Sequence, residues 1–508
     1  MNQHLAYMDI IGDRKHDFPQ SFSSHNVWWE HYKVLNDYFG RLCAALASGD
    51  QINKVLVIEP TTSAWMYYVP GEENRVMNNI GDRFDSWIRY IEKNQVEYDL
   101  GCENIIKDHG SVEDDLFVIN QRKYNVVILP PGTESLDLIT WELLKKYIEN
   151  GGVVYSVVNF PKFIDGAESA DYKTYAEIYK INWRHVKNAE EIPANWYLSD
   201  EFVMVDPAGI SGMLYHQHRI LNDGEILFLS NFDENENAAG IFRAQGKDVL
   251  YLDLLDGNIY NYPHKQDGEL LEVQFDITPH GSMLFFIPDK EMNFDTYQKP
   301  AVIKEPITAT GEIKVNREHK NTLVLDYPDI YLNKWENNML FYTAAAKVFQ
   351  AHGFDANPWS VSAQFKSNIV DRDTFPEGTG YKARFHFTVD NGFDLQTPLQ
   401  LSVERPNVFK VFVNDHEVTA LDGEWWLDPE FGLYDISGLY KQGANTILLE
   451  VSPMSVFAEL EPVYIIGDFS LESQSKGWKI TGTDKELTLG SWAQQGLPMY
   501  SGVVSYTN

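Results

Sequence analysis

The sequence predicts a multidomain chain that joins an α/β domain to all-β domains. At 508 residues it exceeds the size at which one hydrophobic core keeps growing, so we expect about three domains. In the first part of the chain, continuous apolar runs alternate with helical patterns, which is typical of a doubly wound parallel sheet. From about Glu201 onward, short strands separated by Gly- and Asn-rich turns predict first a small β-sandwich and then a jelly roll.

Composition restricts the partners of the chain. A net charge of −33 and a pI of about 4.7 would repel nucleic-acid phosphates and anionic membranes, so neither is expected as a partner, whereas neutral carbohydrate is unaffected. The two cysteines, Cys43 and Cys102, support neither a disulfide framework nor a cysteine-based metal site. No apolar run reaches the length that spans a bilayer, and Met1 is followed by polar residues rather than by a signal segment.

The doubly wound domain is expected over residues 51–200, after a helix that runs from about Trp29 to Ala47. Two apolar runs resemble strands that are covered on both faces, and a third run follows Gly151 and Gly152, which should stop a helix. We expect a flavodoxin- or amidotransferase-like support domain, since no Gly-rich phosphate loop follows any strand. Its predicted elements are a strand over Lys54–Pro60, a helix over Asn74–Lys93, a strand over Val126–Pro131, a helix over Leu136–Asn150 and a strand over Val153–Val158.

Residues 201–292 are predicted to form the small β-sandwich, and residues 293–508 the jelly roll. In the jelly roll, the segment from Tyr331 to Thr379 shows no strand pattern and is expected to be a long irregular insert. The predicted sandwich strands are Ile226–Ser230, Val249–Asp253, Leu270–Phe275 and Met283–Ile287, and the predicted jelly-roll strands are Lys382–Val389, Leu399–Glu404, Val408–Val413, Thr446–Val451 and Val463–Ile466.

The first thirty residues are crowded with polar and aromatic side chains of the kind that line sugar pockets. The candidates for substrate binding there are His4, Tyr7, Arg14, Lys15, Asp17 and Trp28. For the charged residues the alternative is a solvated or mutually paired loop. Trp28 and Trp29 are adjacent at a predicted helix start and point in different directions, so at most one would face a ligand.

Four tryptophans of the terminal region are weaker candidates for carbohydrate binding. Trp335 and Trp359 lie in the long insert, where the alternative is packing of the insert on its own aromatic rings. Trp425 and Trp426 would fall on opposite faces of a strand, so that one packs and the other is exposed. The acidic runs at Glu113–Asp115 and Asp233–Asn237 are expected to be exposed loops rather than metal sites.

Three groups of segments resemble the α-L-rhamnosidases of glycoside hydrolase family 106 and their relatives, in the same order along the chain. The first group resembles the last segment of the catalytic barrel, the second the sandwich that follows it, and the third a C-terminal galactose-binding-like domain. The segments are Asn2–Met8, Arg14–Phe22 and Val27–Trp29; Ile226–Ile287 with Leu254–Tyr260 and Pro279–Ser282; and Gly423–Asp428, Glu459–Phe469 and Gly496–Gly502.

The resemblance implies a (β/α)₈ barrel whose two carboxylates hydrolyse a terminal rhamnoside with inversion, beside a calcium ion. Residues 1–50 would be the end of that barrel, and the rest of it would precede the chain. No catalytic glutamate is therefore assigned. Calcium is compatible with the resemblance but no ligand is assigned to it. A periplasmic or extracellular location of a full-length protein is compatible as well.

The sequence thus predicts the C-terminal portion of a glycoside hydrolase that acts on rhamnose-containing plant polysaccharides or glycosides, hydrolytically inactive by itself. Two alternatives stay open. One is a non-catalytic carbohydrate-binding protein, and the other is a hydrolase of the β-galactosidase kind, which also joins a barrel to doubly wound and β domains. The linkage cleaved, the leaving group and the oligomeric state are left open.

Overall fold

A computed structural model describes residues 28–187, 202–299, 311–361, 364–483 and 486–507. The chain divides into two compact units, one of residues Lys33–Ala301 and one of Met1–Tyr32 with Val302–Asn508, and each is described by itself. Five candidate site residues, His4, Tyr7, Arg14, Lys15 and Asp17, lie outside the described residues. Within the described ranges, no helix has both the length and the apolar character needed to cross a bilayer.

The first unit contains a five-stranded parallel sheet in the order β2-β1-β6-β8-β11, which is a doubly wound order. The predicted strands are confirmed as β1, β6 and β8, and the predicted helices as α1, α3 and α5. The elements are α1 Tyr32–Ala47, β1 Val55–Ile58, α2 Thr61–Trp65, α3 Arg75–Lys93, β2 Tyr98–Gly101, α4 Glu103–His109, β3 Gly110–Glu113, β4 Leu116–Ile119, β5 Arg122–Tyr124, β6 Val126–Leu129, β7 Ser135–Leu136, α5 Leu138–Glu149, β8 Val153–Val157, β9 Phe163–Ile164, β10 Ala167–Glu168, α6 Asp171–Ile178 and β11 Trp183–Val186.

Both faces of this sheet are covered, which explains the continuous apolar runs. Val55 and Val57 of β1 pack with Trp87 of α3 on one face. Leu56 and Ile58 belong to a core on the other face, which α4, α5 and α6 complete. Successive side chains of a strand point to opposite faces, so a strand buried on both sides needs an apolar residue at every position.

The loops that follow β1 and β6 are tied together at the carboxyl ends of these two adjacent strands. Ser63 is buried, and its hydroxyl accepts from the backbone amides of Glu134 and Ser135 at 2.8 and 2.9 Å. Thr62 donates to the carboxyl group of Glu103, whose pKa is raised by burial. The hydroxyls of Thr62 and Ser63 are therefore engaged in hydrogen bonds within the protein, at the carboxyl ends of β1 and β6.

The same unit continues into an antiparallel sandwich. Its sheets have the orders β12-β15-β19-β18 and β13-β14-β20-β16-β17, and Phe242 of one contacts Phe285 of the other at 5.4 Å between ring centroids. The strands are β12 Phe202–Val205, β13 Leu214–Leu221, β14 Gly224–Asn231, β15 Ala238–Gln245, β16 Leu250–Leu252, β17 Ile259–Asn261, β18 Lys265–Asp267, β19 Leu270–Ile277 and β20 Ser282–Pro288.

Helix α1 packs on this sandwich. Its Tyr38 hydroxyl lies 2.5 Å from Ser282 Oγ, and Arg41 donates to the carbonyls of Leu254 and Leu255 at 2.8 and 2.9 Å. Apolar residues of α1 cover the outer face of the sandwich beside Ile226. The helical pattern noted in the sequence is therefore an amphipathic helix with a sheet as its partner.

A buried charged cluster joins the doubly wound region to the sandwich. His218 Nε2 lies 2.9 Å from Glu225 Oε2, and His218 Nδ1 lies 3.4 Å from Glu97 Oε1. His216 Nε2 approaches the same Glu97 oxygen at 3.5 Å, while its Nδ1 lies 2.8 Å from Gln95 Oε1. The two carboxylates offset the cost of burying the imidazole rings.

The second unit contains a five-stranded sheet, β22-β32-β26-β30-β29, and a larger sheet with the path β24-β23-β25-β31-β27-β28, to which β34 and β33 attach beside β25. The five predicted jelly-roll strands are present. The elements are β21 Lys314–Arg317, β22 Asn321–Leu325, β23 Asp329–Tyr331, β24 Trp335–Glu336, α7 Phe341–Ala351, β25 Tyr381–Val389, β26 Leu399–Glu404, β27 Lys410–Val413, β28 His416–Val418, β29 Trp425–Trp426, β30 Asp428–Asp435, β31 Gly443–Val451, β32 Val463–Gly467, β33 Ser470–Ser473, β34 Trp478–Thr481 and β35 Val504–Thr507.

The segment from Tyr331 to Thr379 is less irregular than the sequence suggested. It contains helix α7, which buries Ala344, Ala345, Val348 and Phe349 in the core of the unit. These positions follow helix spacing, so the segment is anchored by one amphipathic helix.

Candidate functional site

The most developed site within the second unit is a cavity of about 640 Å³. It lies between β22, an edge strand of the five-stranded sheet, and strands β25 and β34 of the larger sheet. Pockets of this size accept small ligands. Its walls include aromatic, amide, carboxylate and basic groups: Asp326, Tyr327, Asn338, His386, Gln474, Lys476 and Trp478.

Strand β25 supplies one wall because its side chains alternate. Phe385 and Phe387 point into the core and are buried, whereas His386 and Thr388 point outward and line the cavity. Trp478 begins β34, which pairs in parallel with the end of β25. A regular strand thus fixes the direction of the histidine, and the neighbouring strand brings the indole next to it.

His386 is held by a buried carboxylate. Its Nε2 lies 2.7 Å from Oδ2 of Asp329, whose Oδ1 accepts from the backbone amide of Asn338 at 2.9 Å. Burial opposes the charge of Asp329, but these hydrogen bonds outweigh it and the pKa of the carboxyl is lowered. Because an ionised carboxylate only accepts, His386 Nε2–H must be the donor, and Nδ1 is the ring nitrogen left to face a ligand.

Tyr327 supplies the aromatic surface of the cavity. It is 49% exposed, as expected for a ring that is available to a ligand rather than part of the core. Trp478 is half-buried and packs against the core of the unit, so its position is more fixed than that of Tyr327. Flat apolar rings beside hydrogen-bonding groups suit a sugar, which has apolar faces and polar edges.

Trp335 lies on the same outward side of the sheet, next to this cavity. The Arg384 guanidinium lies 4.1 Å from the centroid of its ring, and Tyr331 lies at 5.3 Å. Arg384 also reaches Asp329 at 3.4 Å, which connects Trp335 to the carboxylate that holds His386. The indole is 37% exposed, so part of it stays accessible.

For Trp359 the expectation of carbohydrate binding is wrong, because the residue packs in the core of the unit and against Phe457, outside the insert. The side chain is fully buried and its Nε1–H donates to the Val456 carbonyl at 2.7 Å, so no ring face is available to a sugar. Trp425 is 51% exposed, while Trp426 packs on Tyr464 at 5.0 Å.

At the start of the described chain, both adjacent tryptophans are exposed. Trp28 is 64% exposed, and Trp29 makes an edge contact with Tyr32 at 6.3 Å between ring centroids. Neither belongs to a hydrophobic core of the described residues.

The acidic runs contact neighbouring groups of the protein, as Glu113 does in its ion pair with Lys123 at 2.7 Å. Asp233 Oδ1 accepts from the amides of Asn235 and Glu236, both at 2.8 Å, and these bonds lower its pKa. Asp114 occupies the turn between β3 and β4 with a positive φ of 48°. Among the described residues, no group of three or more His, Cys, Asp or Glu side chains could hold a metal ion.

Sequence reasoning missed Tyr327, Asp329, His386 and Trp478. The signal was present in part, because the alternation over Lys382–Val389 already places His386 on the outward face. The pairing of β23 with β25, which brings Asp329 to His386, depends on sheet topology and cannot be read from local pattern.

No family model matches the sequence, and no curated protein sequence matches it. Among solved structures, the chain is similar to a rhamnosidase from a Novosphingobium species, at 15% identity over 88% of this chain and 42% of that chain, with a TM-score of 0.42. It is also similar to a β-galactosidase from Bacillus circulans, at 11% identity over 52% of this chain and 46% of that chain, with a TM-score of 0.30. The chain thus spans less than half the length of either protein, and likeness this low carries no argument about substrate or catalysis.

Proposed function

We propose that the terminal region is a galactose-binding-like domain that binds carbohydrate in the cavity of Tyr327, His386 and Trp478. The observation that supports this most is the combination of an exposed aromatic ring with a histidine whose orientation is fixed by Asp329. The ring would stack on a sugar face, and His386 Nδ1 would bind a hydroxyl.

The wider proposal is that the chain is the C-terminal portion of a rhamnosidase-like glycoside hydrolase that acts on rhamnose-containing plant polysaccharides or glycosides. It is supported by the order of the family-106-like segments along the chain. In that proposal the catalytic carboxylates belong to a barrel ahead of the chain, together with any calcium. His4, Tyr7, Arg14, Lys15, Asp17 and Trp28 would be substrate-binding residues at the end of that barrel.

The binding proposal is tested with Tyr327→Ala in titration calorimetry against rhamnose-containing oligosaccharides. We expect the variant to bind about tenfold more weakly, since an aromatic contact contributes roughly 0.5–1.5 kcal/mol beyond the area that it buries. His386→Ala should weaken binding as well, through the loss of a hydrogen bond.

Tyr342→Ala is the matched control. Tyr342 is a tyrosine of α7 that is 54% exposed, close to the 49% of Tyr327, and it does not line the cavity. Equal affinities of both variants and the parent chain, or no heat with any oligosaccharide of the panel, would contradict the proposal.

The wider proposal predicts that this chain alone does not hydrolyse aryl rhamnosides, because the acid and base of an inverting mechanism must both flank the sugar. Purified chain should release the aryl group no faster than buffer. Release clearly above the blank, abolished by a substitution within this chain, would overturn the assignment of the catalytic carboxylates to a preceding barrel.

A further inference from the structure

A second cavity, of about 810 Å³, lies in the doubly wound region of the first unit. The segment Asn159–Lys162, which follows β8, forms one wall, and His185 near the end of β11 contributes to another. The cavity therefore lies outside the carboxyl ends of two neighbouring parallel strands. Ligands of open doubly wound sheets bind at this carboxyl edge, most often at the point where the strand order reverses, which in this sheet lies between β1 and β6.

Three lysines line this cavity: Lys162, Lys173 and Lys180. Within the described part of the chain, none of them forms an ion pair, although the whole chain carries a net charge of −33 and acidic residues are in excess. Unpaired ammonium groups around a concave surface attract an anion, and the low-dielectric walls focus their field. Glu168 and Glu177 also line the cavity, so it offers hydrogen-bond acceptors as well as cations.

Aromatic rings provide a flat surface in the same cavity. Phe160 lies 5.1 Å from the His185 ring at an interplanar angle of 30°, and its edge contacts Trp183 at 5.4 Å. His185 Nε2 lies 2.8 Å from the Val158 carbonyl oxygen, so Nε2–H donates and the ring is fixed in orientation. Phe160 is half-buried, which leaves part of its ring accessible.

The backbone that carries this wall is strained. Val158 has a φ of 71°, which is unfavourable for a β-branched residue. Its amide donates to the Val186 carbonyl at 2.8 Å, and its own carbonyl accepts from His185. Such strain persists only where the surroundings enforce it, and it is concentrated at ligand sites.

We propose that this cavity binds an anionic sugar unit, that is, a carbohydrate that bears a carboxylate. The three lysines pair with the carboxylate, the Phe160 ring packs against an apolar sugar face, and Glu168 and Glu177 accept hydrogen bonds from hydroxyls. The three lysines alone would be enough to bind a simple inorganic anion. The Phe160 ring and the two glutamates alone would be enough to bind a neutral sugar. A sugar that bears a carboxylate uses all of these groups. This site is independent of the cavity in the second unit and of the activity proposed for the chain.

The test is titration calorimetry with trigalacturonate as the probe, using the full chain and a triple variant, Lys162→Gln, Lys173→Gln and Lys180→Gln. Loss of three exposed ion pairs should weaken binding about tenfold or more. Phe160→Ala should weaken binding of the same probe. Methyl-esterified trigalacturonate, which lacks the charge, should bind the parent chain as weakly as trigalacturonate binds the triple variant.

The matched control is Lys54→Gln, Lys107→Gln and Lys146→Gln, which removes the same charge from exposed lysines of the same region that do not line the cavity. It should retain parental affinity. The proposal is overturned if both triple variants lose affinity equally, if the ester binds as well as the acid, or if trigalacturonate does not bind. It is also overturned if inorganic phosphate competes fully while Phe160→Ala has no effect, because the site would then be a simple anion site.

Discussion

At the residue scale, the buried cluster of Glu97, His216, His218 and Glu225 makes the stability of the first unit depend on pH. Burial lowers the pKa of His218, but the contacts with Glu225 and Glu97 outweigh it and raise the pKa to about 9. Burial raises the pKa of Glu97, but the contacts with His216 and His218 outweigh it and lower the pKa to about 2. Both shifts mean that the charged forms are favoured in the folded protein.

The sign of each contribution follows from linkage. His218 stabilises fully below its ordinary pKa of 6.5, and its contribution is lost as pH rises through about 9. Glu97 stabilises fully above its ordinary pKa of 4.5, and its contribution is lost as pH falls through about 2. We therefore expect this cluster to contribute most between pH 4.5 and 6.5.

The variant His218→Gln tests this. At pH 6 it should reduce the free energy of unfolding by about 3 kcal/mol, because it leaves buried carboxylates without their cation. The loss should shrink above pH 9. Urea denaturation across pH measures it, with His109→Gln, at an exposed histidine of the same unit, as the control. A loss that does not change with pH would contradict the ionic account.

The tryptophans show where residue-level prediction stops. Trp359 and Trp425 both lie in aromatic-rich, polar surroundings in the sequence, yet one is fully buried and the other is half exposed. Trp359 packs in the core, and its Nε1–H is satisfied there by the Val456 carbonyl, almost a hundred residues later in the chain. A long-range partner of that kind leaves no local signal.

At the element scale, strands buried on both faces were predictable and strands at the sheet margin were not. β1, β6 and β8 are continuous apolar runs, whereas β2 and β11 are edge strands of the sheet, with Asp99, Arg184 and His185 among their residues. An edge strand is partly exposed and therefore carries polar residues. These residues interrupt the apolar pattern by which a strand is recognised in the sequence. Half of the apolar residues of helix α7 are alanines, which give only a weak hydrophobic pattern, so the sequence did not reveal the helix.

Helix α3 allows a test of whether a single capping residue stabilises the helix that it begins. Asn74 caps it, and its side-chain oxygen accepts from the amides of Val76 at 2.9 Å and Met77 at 3.4 Å. Asn74→Ala should therefore reduce the free energy of unfolding by about 1 kcal/mol. Asn79→Ala, at an exposed interior position of the same helix, should be neutral or slightly stabilising. If thermal denaturation showed the same loss of unfolding free energy for both variants, a capping role of Asn74 would be contradicted.

At the scale of the whole molecule, the chain combines a doubly wound sheet with antiparallel β-sheets, as the sequence predicted. The sequence also predicted aromatic surfaces for sugar in the first thirty residues, most of which lie outside the described residues, and on four tryptophans of the terminal region. The cavity of Tyr327 and His386 requires strands β22, β25 and β34, which are far apart in sequence, so only the folded sheet reveals it.

The most direct test of carbohydrate binding in the second unit is a crystal structure after soaking with a rhamnose-containing oligosaccharide. We predict a sugar ring stacked on Tyr327, with a hydroxyl within hydrogen-bond distance of His386 Nδ1. The Nε2 bond to Asp329 should be unchanged. Sugar density elsewhere on the second unit, with this cavity empty at saturating ligand, would contradict the assignment.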